Sequence, residues 1–283
     1  MAISTKKIDS HHSRGEKIFP QGTIEKAFPA GPDEACTERL AFAQQQGWQE
    51  PADGGFAMRR GLFAGALAEH QLQGYAAGHG FSVDLGDVAD IIMKTTSFGQ
   101  LGLERQQEIR DAGIRWVRRW QEQFPQDDSD LDLSQMATNM LVAQTDMFVR
   151  RPDRFAIRVR PDNVVGVGNT LVAWEWSTAK DPHAISRARF ALNHHALLRE
   201  RLRRPDWAGF TSISTRVEML ALGVGFTVSL NLEDAEIWRV AIGKVAEAVA
   251  HGEHEPNRGP HCSTCPWQAD CWFGGDQEEQ AAF

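Results

Sequence analysis

Three of the four cysteines in this 283-residue chain fall within ten residues of one another, in HCSTCPWQADCW (His261 to Trp272). The fourth, Cys36, lies more than two hundred residues upstream. Cys262, Cys265 and Cys271 form C-x2-C-x5-C, whose first pair is spaced so that one tight turn points two thiolates at a single metal centre. A closed centre needs a fourth ligand. If Cys36 supplies it, the two ends of the fold are stapled together like a clasp. Four thiolates suit either a tetrahedral zinc or a cubane iron–sulfur cluster, and spacing does not separate the two. A zinc site completed by His251, His254 or His261 would leave Cys36 as an ordinary buried thiol.

Compartment bears on this choice. The first thirty residues lack the apolar stretch of a signal peptide, and the longest later apolar run, Met219 to Leu230, is too short to cross a bilayer. The expectation is a cytoplasmic protein with no membrane segment, in which thiols stay reduced and serve as ligands rather than disulfides. A net charge of −8 argues against a protein that coats nucleic acid through bulk positive charge. Local basic stretches do occur, at Arg150 to Arg160 and Arg199 to Arg204, although either also reads as a solvated face.

Residues 1–30 are polar, with Gly and Pro, and read as a flexible arm; residues 274–283 read as a flexible acidic tail. Neither end is expected to hold chemistry. Between them, residues 31–273 read as one domain with a helical insertion at about 80–146. Helical spacing marks Thr37 to Trp48, Arg59 to Leu72 and two segments between Asp87 and Phe124. Beyond Met147 the period changes, because Phe155, Ile157 and Val159 alternate with polar neighbours and TLVAWEW (Thr170 to Trp176) is rich in β-formers. A helix at Ile185 to Leu202, strands at Thr211 to Glu218 and Gly225 to Leu230, and a helix at Glu233 to His251 follow.

The middle of the chain carries an acidic pair. In RPDNVVGVGNTLVAWEWSTAK, Pro161-Asp162 ends one strand and Glu175 lies inside a later one, thirteen positions on. Carboxylates on adjacent strands can share a divalent metal, which holds a phosphodiester oxygen and lowers the pKa of an attacking water. Trp174 and Trp176 flank Glu175 and should point to the other side of the sheet, into the core. His194-His195 reads as a half-packed, half-solvated pair on its helix, or as a side facing a nucleic-acid groove.

A Pro-Asp-x12-Glu-x-Ser strand pair, preceded by one distant cysteine and followed by C-x2-C-x5-C, resembles the PD-(D/E)xK nuclease superfamily. The similarity is to its RecB-type iron–sulfur branch, which includes the AddB nuclease domain and the CRISPR-associated adaptation exonucleases, and it runs from Cys36 to Cys271. The resemblance implies an α/β fold: a central mixed sheet flanked by helices, a helical insertion in the N-terminal half and a C-terminal iron–sulfur clasp. It implies a [4Fe-4S] cluster on Cys36, Cys262, Cys265 and Cys271, and Mg2+ or Mn2+ on Asp162 and Glu175 if the site is active.

The chain departs from that family at several positions. Where the family has a lysine two residues after the motif acid, this chain has Ser177, which can hold a water but supplies no positive charge. Gly65 stands where a metal-binding histidine should follow Arg60-Gly61. Positions matching a Gln-x3-Tyr element fall near Ala191 and His195. Two replacements suggest themselves: Glu69, one helical turn after Gly65, as a metal ligand, and Lys180, just past the strand, as the missing cation. The function expected is a RecB-like protein of DNA processing that binds DNA ends or single strands, with hydrolysis weak or lost. The alternatives are an active metal-dependent DNA exonuclease using Lys180 and Glu69, and a non-catalytic scaffold for a protein partner. A separate helicase or nuclease subunit is an expectation from the family.

Overall fold

The structure is a computed structural model. It describes residues 17–25, 27–28, 31–37, 56–81, 84–94, 96–124, 131–136, 142–143, 146–151, 155–252, 257, 259, 262, 265 and 271. In chain order the elements are β1 (Lys17–Pro20), α1 (Gln21–Glu25), α2 (Phe56–Ala76), α3 (Leu85–Met93), α4 (Thr96–Gly99), α5 (Leu103–Gln123), β2 (Val142–Ala143), β3 (Met147–Arg151), β4 (Phe155–Val159), β5 (Asn163–Val167), β6 (Thr170–Ser177), α6 (Arg187–Arg203), β7 (Ser212–Met219), β8 (Val224–Val228) and α7 (Leu232–His251).

The strands make two mixed sheets, ordered β1-β4-β3 and β2-β5-β6-β7-β8. β4 pairs in the first sheet and β5 in the second, with only Arg160, Pro161 and Asp162 between them. Proline has no amide proton to continue a ladder, so the chain can leave one sheet and enter the other at this point. A two-residue turn, with Gly168 at φ +55°, then folds β5 back onto β6. β6 and β7 are parallel, which requires a crossover, and α6 provides it.

Side chains alternate across β5 and β6, so the central sheet has two separate apolar faces. Leu171 and Ala173 lie in one core with Ile24 of α1, Leu192 and Leu197 of α6, and Trp238 of α7. Val172 and Trp174 lie in the other with Phe63 and Leu67 of α2 and Val117 and Trp120 of α5. The helix-flanked mixed sheet matches the expected α/β class. Trp174 and Trp176 occupy the second core, as their position beside Glu175 requires.

Two features differ from the sequence reading. Lys17–Pro20, inside the stretch read as an arm, pairs in parallel with β4. Ile24 and Ala27 are fully buried and Phe28 nearly so. The three fall at helical spacing, but the segment is too short and too polar overall to show a period. Asn163–Val167 is a strand of its own, so Asp162 opens a strand rather than closing one. Residues 38–48, the remainder of the first expected helix, and the tail at 274–283 lie outside the described residues.

Candidate functional site

Asp162 and Glu175 meet because of the β5–β6 register. Asn163 pairs with Trp174, so Asp162 stands across from Glu175 just beyond the end of the ladder. There the Trp176 amide donates to the Asp162 carboxylate at 2.8 Å. Glu175 shares its face with Ala173 and is only 5% exposed. The two carboxylates look into a cleft of about 350 Å³ that Arg158 and Arg160 also line.

Two helices close this cleft. From α6, Asn193 donates to Glu175 at 2.8 Å, and the Arg189 guanidinium lies 3.6 Å from the same carboxylate. From α1, Glu25 accepts two bonds from Arg189, through Nε and Nη2, both at 3.1 Å. Gln21, one turn before Glu25, donates to Asn193 at 3.4 Å and accepts the Arg160 amide at 3.2 Å. Each helix thus contributes a polar pair spaced i, i+4, and the pairs interlock over Glu175.

Burial dominates the electrostatics. It pushes Glu175 up to about 8; Arg189 and Asn193 oppose the shift, while Asp162 and Glu25 add to it. Burial also raises Asp162, against the Trp176 amide, Arg189 and Arg160. For Arg189, burial works against the charge, but Glu175 and Glu25 outweigh it and the pKa rises. Arg189 is therefore the fixed cation of the cluster.

The other expected residues fall elsewhere. Ser177 accepts the Ala179 amide at 3.1 Å, so its hydroxyl shapes the end of the strand. Lys180 is exposed past that end and does not line the cleft. Gly65 lies against Trp176, with a Cβ built there 3.5 Å from the Trp176 Cβ, which puts α2 on the face opposite Glu175. Glu69 accepts a bond from Gln73 on that helix and does not line the cleft either. His195 bonds the Ala235 carbonyl, and burial lowers His194 to about 4, so this pair belongs to helix packing.

Glu25, Gln21, Arg189 and Asn193 escaped the sequence reading. The available signal was Arg189-x3-Asn193 on the helix after the motif strand. It has the spacing of the Gln-x3-Tyr element but lies two residues before the positions matched to it, Ala191 and His195.

None of the four cysteines is in a disulfide; Cys36 is buried and the others are half-buried. The Cys265 amide bonds the Cys262 carbonyl at 3.1 Å, and the Cys262 amide bonds that of Gly259, so the first pair sits on a tight turn. Asn257 donates to the Asp33 carbonyl at 3.1 Å, tying the approach to Cys262 to the approach to Cys36. Cysteine thiolates are donors of the kind that hold zinc or an iron–sulfur cluster. Among the described residues, no three His, Cys, Asp or Glu side chains converge closely enough to hold a metal ion. For a divalent cation on Asp162 and Glu175 the arrangement does not fit, since the Arg189 guanidinium stands against Glu175 and one Asp162 oxygen accepts the Trp176 amide.

No protein-family model matches this chain, and no curated protein does. Solved structures similar to it include a protein from Eubacterium rectale that bears the provisional name of exonuclease. It is 11% identical at a TM-score of 0.41, over 94% of this chain and 92% of that one. Among the described residues, no helix is long and apolar enough to cross a membrane.

Proposed function

We propose that this chain is a nuclease-like protein that binds DNA ends or single strands, with hydrolysis weak or absent. The observation that carries this reading is the composition of the cleft. Asp162 and Glu175 stand on paired strands in the manner of a phosphodiesterase, yet the cation beside Glu175 is Arg189. Arg158 and Arg160 are exposed along the same cleft and are the groups suited to phosphate oxygens. Ser177 supplies no charge, and neither Lys180 nor Glu69 lines the cleft to replace what is missing. The four cysteines are assigned to a [4Fe-4S] cluster on the resemblance of their spacing; bound there, it would act as a structural clasp.

The test is binding and cleavage of end-labelled single- and double-stranded DNA, with and without Mn2+. Binding should weaken with salt, and Arg158→Ala/Arg160→Ala should flatten that dependence by about one unit of slope for each phosphate no longer neutralised. Wild type and Glu175→Ala should cleave equally poorly. Salt-independent binding would remove the nucleic-acid reading, and brisk cleavage abolished by Glu175→Ala would show an active enzyme.

A further inference from the structure

We propose that Arg189 is the resident cation of this cleft: held between Glu25 and Glu175, it keeps divalent metal out. The inference rests on reading the cleft as nuclease-type, but it concerns the chain's own charges and its test uses no nucleic acid.

All three nitrogens of the guanidinium are turned to carboxylates. Nε and Nη2 take the two oxygens of Glu25 at 3.1 Å each, and Nη1 faces Glu175 at 3.6 Å. A planar fork is matched to this task in a way that a lysine is not. The acceptors are themselves held. Asn193 fixes Glu175, and Gln21 fixes Asn193 while anchoring α1 to the Arg160 backbone. The Arg189 side chain is one-third exposed, whereas those of Glu25 and Glu175 are 9% and 7% exposed, so the arginine lies on the solvent side of its acids.

A divalent ion of the Mg2+ or Mn2+ kind takes six oxygens in near-octahedral geometry, several of them water. With Arg189 in place no three acids among the described residues converge on one point; without it, Glu25, Asp162 and Glu175 are the acids lining the cleft that could close on an ion. Guanidinium and metal would repel each other in the same small volume, so occupancy by one excludes the other. Removing the Arg189 charge should therefore turn the cleft into a divalent-cation site.

The experiment compares wild type, Arg189→Gln, Arg189→Lys and Arg189→Gln/Glu175→Gln. Mn2+ uptake is read by electron paramagnetic resonance and calorimetry, and melting is followed with and without Mn2+. Arg189→Gln should bind Mn2+ at least about tenfold more tightly than wild type and melt higher in its presence. Wild type and Arg189→Lys should show neither effect, and the double variant should lose both. An ordinary structural ion pair predicts instead that Arg189→Gln is destabilised and that Mn2+ does not restore it. Wild type binding Mn2+ as tightly as Arg189→Gln, or a folded Arg189→Gln that takes up none, overturns the proposal. If Arg189→Gln does not fold on its own, refolding only with Mn2+ supports the proposal and no refolding with Mn2+ overturns it.

Discussion

Burial raises the pKa of Glu175, and that shift has a measurable consequence. Its ordinary value is 4.5 and its folded value about 8. Between these the folded chain keeps a proton that the unfolded chain releases. The stabilisation is complete below 4.5 and is lost as pH rises through about 8. The melting temperature should therefore fall across that window, and Glu175→Gln, neutral at every pH, should flatten the fall. An unchanged slope in the variant would assign the effect to another group. The pair Asp162 and Glu175 was legible because a short motif names both and the strand register brings them together. Glu25 and Arg189 were not legible, because their contact spans 164 residues and a polar pair at i, i+4 looks like a solvated helix face. Periodicity correctly put Glu69 in line with Gly65, but it says which residues share a face, not on which side of the sheet the helix lies.

At the scale of elements, α1 is the part that sequence patterning failed to find and on which the site depends. It is five residues long and is followed by Ala27 and Phe28, so its apolar spacing has no second repeat to reinforce it. Packing supplies what length does not, since Ile24 is fully buried in the core shared by α6 and α7. Ile24→Ala should cost about 2–5 kcal/mol, as buried aliphatic truncations do. If denaturant unfolding of this variant matches wild type, α1 is not docked as described. The longer helices α2, α5, α6 and α7 were legible because each repeats its period several times, β4 because Phe155, Ile157 and Val159 alternate with polar neighbours, and β6 because Thr170 to Trp176 is rich in β-formers. β5 is buried on both faces and lacks alternation, so its apolar run carries no strand period to read.

At the scale of the molecule, the Asn257–Asp33 bond brings the segment that leads to Cys262 back to the one that leads to Cys36. If Cys36 and Cys271 ligate one cluster, losing either should release the iron. Cys36→Ser and Cys271→Ser should each lower the melting temperature, and the double variant should melt no lower than the worse single one. Additive losses with iron retained would mean that the two thiols act independently, and zinc in place of iron would favour the other four-thiolate centre. The same joining of distant segments has a consequence for synthesis on the ribosome. α1 emerges early, but Arg189, the partner of Glu25, follows 164 residues later. At about 5–20 residues per second, α1 must wait on the order of 8 to 30 s for the helix that receives it. Throughout that interval Ile24, Ala27 and Phe28 lack the two helices, α6 and α7, that complete their core, so a nascent chain stalled before α6 is a natural client for a chaperone.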